Sequence, residues 1–342
     1  MKKMSHTQRR AFVQLISASL VLVAVFFLSS CTRKTSALAT TTTDLNQDIQ
    51  PPFRFVAYGD TRFHDPLDTQ AANAAVRTAL VQAISDTNPA FICFSGDIVY
   101  NGYDKNDWDV WDRETTIWRQ KNIPVYPALG NHEFHGDLKT AMGNYFGHFP
   151  ALKNSHYYSV RAGNTLLLVL DSSQEEVVGP QGEWLLKKLD HVPADVDFIF
   201  VMLHHPPYTS SSESKLSTGG HEARAAEQAL AKVLEEKQAH SAFRIVVFSG
   251  HVHNYERHEH GGVTYFVSGG GGAHAYPIQR APNDLFQSRD VNYHYLLVEV
   301  AKQQLKITMN RVDISSGKAV WTQPDSVTLT KPLAAAAQSA GN

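Results

Sequence analysis

The sequence predicts an α/β fold, a layered sandwich over residues 53–330. Three observations carry this expectation. Short apolar runs alternate with longer segments of helical period, the pattern of parallel strands covered by helices. A late succession of apolar runs with no helix between them adds antiparallel strands. Many of the runs also end in glycine beside Asp, Asn or His, and loops at the carboxyl ends of strands in an open α/β sheet converge on one crevice.

Two segments precede the fold. Lys2, Lys3, Arg9 and Arg10 form a basic stretch, Ala11 to Leu28 is apolar, and Leu28-Ser29-Ser30-Cys31 follows. That order reads as a secretory signal. The small residues before Cys31 resemble a bacterial lipobox, so residues 1–30 are expected to be removed and Cys31 lipidated. The alternative is a single membrane anchor, since the apolar stretch is just long enough to span. Residues 31–52 include Thr40-Thr41-Thr42-Thr43, end in Pro51-Pro52 and show no period, and so read as a flexible tether. Residues 331–342 read as a disordered tail.

Within the domain, Phe53 to Tyr58 reads as a strand stopped by Gly59. Gln70 to Thr87 reads as a helix, with Ala75, Val76, Ala79, Leu80, Ala83 and Ile84 on one face. Ala90 to Phe94 is a buried strand, which makes Cys93 a core residue rather than a reactive one. A helix over Trp108 to Lys121 and a strand over Val125 to Leu129 follow. Tyr157 to Val160 and Thr165 to Leu170 form a hairpin turning at Ala162-Gly163-Asn164. Glu183 to Leu189 is helical. Phe198 to Leu203 and Ile245 to Phe248 are strands on either side of a helix near Glu222 to Glu236. Val263 to Val267, Tyr295 to Val300 and Gln304 to Val312 are strands.

Composition narrows the function. With 43% apolar and 19% charged residues, the 342-residue chain is neither disordered nor fibrous. Lys plus Arg is 31 and Asp plus Glu is 33, so the net charge is −2, and losing the four leader cations makes it −6. No nucleic-acid binding is expected from that balance. With Cys31 lipidated, Cys93 has no disulfide partner. The 17 His suggest metal binding or proton transfer.

The polar strand ends sharpen this. Gly59-Asp60, Gly96-Asp97-Ile98-Val99-Tyr100, Gly130-Asn131-His132-Glu133, Val201-Met202-Leu203-His204 and Gly250-His251-Val252-His253 each follow an apolar run. Asp60, Asp97, Tyr100, Asn131, His204, His251 and His253 should therefore meet. Seven donors are too many for one ion with open positions. Two ions about 3.5–4 Å apart, sharing a carboxylate, would suit in-line displacement at phosphorus. Singly, each residue reads as a turn or a cap; five such loops in one chain do not.

The five motifs, in this order over about residues 53–270, resemble the calcineurin-like metallophosphoesterases and specifically the purple acid phosphatase branch. The resemblance implies an α/β/β/α sandwich with mixed sheets. It also implies that Asp60, Asp97, Tyr100 and His253 hold Fe³⁺. Asp97, Asn131, His204 and His251 would hold Zn²⁺, Fe²⁺ or Mn²⁺, with Asp97 bridging. Metal-bound hydroxide would attack a small phosphomonoester in line; a phosphodiester or nucleotide substrate is the alternative, and a non-enzymatic binding protein the third reading. His132 and His221 would be catalytic, His132 binding phosphate or protonating the leaving oxygen, with Asp104 orienting it. Arg62 departs from the pattern: the superfamily has His there and the purple branch Gly. Arg stays protonated and cannot ligate a metal, but it can grip a phosphate bidentately; its alternative role is a surface salt bridge. Glu133 reads as a capping or salt-bridging carboxylate. His205 reads as a residue behind the ligands or at the surface, and His258, His260 and His274 as rim residues. Gly269 to Gly272 lacks the Lys of a P-loop and reads as backbone passing close to the metals. The lipobox adds a membrane partner, with the domain in the bacterial cell envelope, periplasm-facing or at the surface.

Overall fold

A computed structural model describes residues 42–211 and 221–332. The leader, Cys31, most of the Ser-rich loop Thr209 to Thr218 and the tail beyond Pro332 lie outside the described residues.

The apolar runs assemble into two seven-stranded sheets. In chain order the strands are Thr43–Gln47 (β1), Phe53–Tyr58 (β2), Ile92–Phe94 (β3), Val125–Pro127 (β4), Tyr158–Ala162 (β5), Thr165–Val169 (β6), Phe198–Met202 (β7) and Arg244–Ser249 (β8). Tyr255–His260 (β9), Val263–Ser268 (β10), Tyr293–Val300 (β11), Gln304–Asp313 (β12), Val320–Thr322 (β13) and Ser326–Thr330 (β14) follow. The helices are Ala74–Asp86 (α1), Lys105–Glu114 (α2), Thr116–Gln120 (α3), Leu138–His148 (α4), Gly179–Asp190 (α5) and Ala225–Ala239 (α6). One sheet runs β1-β5-β6-β7-β8-β10-β9. The other runs β13-β12-β11-β2-β3-β4, with β14 beside β12. Parallel pairing joins β2, β3 and β4 in one sheet and β6, β7, β8 and β10 in the other, while β11 and β12 are antiparallel additions.

Side-chain alternation builds the layers. In β6, Leu167 and Val169 join the core between the sheets, where Phe55 of β2 meets Phe200 of β7 edge-on with ring centroids 4.9 Å apart. Leu166 and Leu168 face the other way and pack against Leu185 and Leu189 of α5 and Leu230 and Leu234 of α6. A strand buried on both faces must read as a continuous apolar run, and Thr165-Leu-Leu-Leu-Val169 does. On the far side of the second sheet, Val76, Leu80 and Ile84 of α1 and Trp111 and Trp118 of α2 and α3 cover it. The order is α/β/β/α, as expected. Cys93 is fully buried in β3.

Six elements differ from the expectation. Thr43–Gln47, assigned to the tether, is an edge strand parallel to β5, and Thr43 Oγ1 donates to the Leu152 carbonyl at 3.0 Å. The helix expected over Trp108–Lys121 starts earlier, capped by Asp104, and breaks at Thr115, whose Oγ1 bonds the Trp111 carbonyl at 2.6 Å. Helix α4 and strands β9, β13 and β14 have no counterpart in the expectation.

Candidate metal centre

The parallel strands point their carboxyl ends at one place. Asp60 leaves β2, Asp97 leaves β3, Asn131 follows β4, His204 follows β7, and His251 and His253 follow β8. Backbone bonds stitch these loops together: Asp60 N–H to the Gly96 carbonyl at 3.0 Å, and Gly250 N–H to the His204 carbonyl at 2.9 Å. Glycine is needed for that approach. A Cβ on Gly250 would stand 2.2 Å from Asp60 Oδ2, and one on Gly130 would stand 2.4 Å from Asp97 Oδ1. Gly269 likewise lets backbone pass, since its Cβ would lie 3.0 Å from Asp60 Oδ2.

The turns are strained. Asp60, Arg62, Asp97 and His251 hold φ values of 57°, 46°, 53° and 69°, left-handed backbone that residues other than glycine rarely adopt. Such strain gathers where the fold aims a side chain.

Two groups of donors result: Asp60, Asp97 and His253, and His204, His205 and His251, each with one ligand atom per residue within 4.8 Å of the others. In the second region His204 Nε2 lies 3.0 Å from Asn131 Oδ1 and 3.2 Å from His251 Nδ1, and 3.4 Å from Asp97 Oδ1. With metal–ligand bonds of about 2.0–2.1 Å, ligand atoms on one ion sit about 2.9–3.4 Å apart, so these separations fit a coordination sphere. In the first region the buried His253 Nε2 has no hydrogen-bond partner among the described residues and lies 3.6 Å from Asp60 Oδ1. Its Nδ1 is tied to the His274 carbonyl at 2.8 Å, which leaves Nε2 as the nitrogen able to ligate.

The electrostatics fit cations. Burial pushes Asp60 well above the usual carboxylate range, and the charge of Asp97 adds to it. Burial acts on Asp97 too, but His204, His132 and Arg62 outweigh it and hold that carboxyl well below its ordinary value. Two buried like charges side by side call for a positive partner. Burial lowers His204 and His253, so both are neutral and able to ligate.

The remaining expected residues surround this cluster. Tyr100 is half-buried, its ring 5.3 Å from that of His132 and 4.8 Å from that of His64. His132 Nε2 is 3.8 Å from Asp97 Oδ2, and its Nδ1 meets the Tyr100 carbonyl at 2.6 Å. Asp104 therefore does not orient His132; it caps α2 by accepting from Asn106 N–H. Arg62 reaches Asp97 Oδ2 at 3.3 Å, and its buried Nε has no partner among the described residues. The His221 ring stands 4.8 Å from that of His251 and 5.7 Å from that of His253, and burial pushes its imidazole down to about 4. Glu133 is fully buried and accepts from the N–H groups of Gly130 at 2.7 Å, Ile98 at 2.8 Å and Asp97 at 2.9 Å. It is the capping carboxylate expected, clamping two ligand loops together. His205, expected behind the ligands or at the surface, instead stands among the imidazoles. A His-His pair directly after a strand that also supplies a ligand was the available signal.

A two-sheet sandwich whose parallel strand ends gather two adjacent carboxylate–imidazole groups defines a domain of the dinuclear metallophosphoesterase class. The chain belongs to the calcineurin-like phosphoesterase family, whose pattern matches residues 53–255. It is similar to purple acid phosphatase 1 of Ipomoea batatas, 27% identical over 189 residues, 49% of this chain and 37% of that one. The Fe(3+)-Zn(2+) purple acid phosphatase 12 of Arabidopsis thaliana is 28% identical over 188 residues, with the same coverage. This chain thus spans well under half the length of those relatives. Two solved structures share the fold. A purple acid phosphatase from yellow lupin (Lupinus luteus) seeds superposes with TM-score 0.61 at 18% identity over 82% of this chain and 54% of that one. PhoD gives 0.58 at 14% over 82% and 70%.

Proposed function

We propose that this chain hydrolyses phosphoesters, phosphomonoesters first among them, at a two-ion centre. Asp60, Asp97, Tyr100 and His253 hold one ion; Asp97, Asn131, His204 and His251 hold the other. The observation that carries this reading is the position of Asp97, grouped with Asp60 and His253 yet 3.4 Å from His204. When bound, the ions supply Lewis-acid polarisation of the phosphoryl group and a water acidic enough to ionise near neutral pH. Arg62 offers its guanidinium to a phosphate oxygen. His132, its Nδ1 occupied by the Tyr100 carbonyl, presents Nε2 to bind the phosphate or give a proton to the leaving oxygen. His221 closes the side above His251. The phenolate and carboxylates of the first group are hard donors suited to Fe³⁺, and the imidazoles and amide of the second suit Zn²⁺, Fe²⁺ or Mn²⁺. The iron and zinc in the name of the Arabidopsis relative support that pairing.

The test uses the full chain in detergent: metal content, visible spectrum of wild type beside Tyr100→Phe, and hydrolysis of para-nitrophenyl phosphate against its bis ester. A visible band lost in the variant supports a tyrosinate–Fe³⁺ site. Two ions without such a band move the centre to a Zn or Mn type. No bound metal refutes the reading, and faster turnover of the bis ester makes the enzyme a diesterase.

We further propose that Cys31 is lipidated and ties the domain to a bacterial envelope membrane. The lipobox-like order of residues 28–31 supports this. Cys31→Ala should leave the protein out of the detergent phase and without incorporated palmitate; unchanged partitioning would refute the anchor.

A further inference from the structure

His205 lies closer to the metal-binding imidazoles than its place in the sequence suggested. Its ring centroid is 4.4 Å from that of His251 and 4.9 Å from that of His204. One nitrogen from each of the three rings lies within 4.8 Å of the other two. Neighbouring ligand atoms on a single ion stand about 2.9–3.4 Å apart, so bringing all three onto one sphere takes a closure of at most about 2 Å.

The ring is also oriented as a ligand is. His205 Nδ1 is 2.8 Å from Ser172 Oγ, and the same oxygen accepts from the His205 backbone N–H at 3.2 Å. His204 and His253 are held in the same way, Nδ1 on an oxygen: the Ser95 carbonyl for one and the His274 carbonyl for the other, each at 2.8 Å. A carbonyl on Nδ1 fixes the tautomer of His204 and His253, while the Ser172 hydroxyl, donor or acceptor, fixes the ring orientation of His205; in all three the other nitrogen is turned toward the site. Ser172 is itself buried and fixed, because its carbonyl accepts from Arg224 and the adjacent Asp171 N–H is bound by Gln181 Oε1 at 2.9 Å.

Two consecutive ligands look forbidden on a strand, where neighbours point to opposite faces. But β7 ends at Met202, so His204 and His205 are outside the ladder. Pro206 follows and biases His205 toward extended backbone.

We propose that His205 is a third imidazole ligand of the second ion, beside His204 and His251. This rests on the two-ion reading above. It makes the second site nitrogen-rich and favours Zn²⁺ there over Mn²⁺.

The test loads the metal-free full chain with Co²⁺ and counts exchangeable imidazole N–H resonances shifted by the paramagnetic ions. Four are expected, from His204, His205, His251 and His253. His205→Ala should remove one and weaken the second ion about tenfold or more in competition with a chelator. Ser172→Ala, which removes the hydroxyl that meets His205 Nδ1 but leaves all four imidazoles in place, should keep four signals with a smaller loss of affinity. Two bound cobalt ions with only three signals in wild type would overturn the role of His205 and leave the centre standing. No bound cobalt would overturn both. If His205→Ala does not fold, the wild-type count decides alone.

Discussion

Glu133 gives the sharpest prediction, because its partners can be counted. It accepts three short backbone bonds, from Gly130, Ile98 and Asp97, and a longer one from Val99 at 3.4 Å. No water reaches it. Glu133→Ala leaves three buried N–H groups unmatched. Each unmatched group costs about 1–3 kcal/mol, so the loss is about 3–9 kcal/mol. That is comparable with the whole stability of a domain. Glu133→Gln is milder. Turned with its oxygen toward Gly130 and Asp97, the amide opposes only Ile98 N–H among the short bonds, for about 1–3 kcal/mol. The assay is urea unfolding of the metal-free full chain, so that metal affinity does not enter. The Gln variant should fall between wild type and Ala, with unchanged slope. An Ala variant within about 1 kcal/mol of wild type would refute the clamp, because three orphaned N–H groups cannot cost so little.

Gly250→Ala should drive a Cβ into Asp60 Oδ2 and displace that carboxylate, so metal content by mass spectrometry should drop toward one ion per chain. Full occupancy would sink the claim. Arg62→Ala should raise KM for a phosphomonoester by about tenfold or more with a smaller change in kcat, since a charge-assisted bond contributes about 1.5–3 kcal/mol; an unchanged KM assigns Arg62 to holding Asp97 alone. His294 is fully buried between Ser268 and the Asn292 carbonyl, and burial holds its imidazole down to about 4. The unfolded chain takes up that proton near pH 6.5 and the folded one only near 4, so stability should fall as pH drops through this window, by about 3 kcal/mol in all. His294→Gln should flatten that part of the stability–pH curve, and an unaltered slope would count against it.

What could be read in advance followed from burial. Strands covered on both faces, such as β6 and β7, are unbroken apolar runs, and their ends carry glycine beside a donor, so the core and the ligand loops were both legible. The edges were not. Strand β1 reads Thr-Asp-Leu-Asn-Gln, with only Thr43 fully covered, and such a polar edge looks like linker until its partner is known. Strand β9, Tyr-Glu-Arg-His-Glu-His, hides in the same way. Helix α4 contains Gly143 and Gly147, which weaken its helical signal. Asp104 was misassigned because cap and catalytic carboxylate look alike in sequence. His205 adjoins a ligand in sequence and so reads as a residue behind it; three residues past β7 the strand alternation that would separate the two no longer applies.

The four left-handed residues at the strand ends also say how this protein would drift. Each costs about 1–2 kcal/mol relative to glycine in the same backbone. Random mutagenesis scored only by heat resistance would therefore reward glycine at Asp60, Arg62, Asp97 and His251. The survivors would melt later and be catalytically empty. Retaining four non-glycine side chains on that backbone requires selection on what they hold, so in a hardened descendant their loss would be an early record of abandoned chemistry.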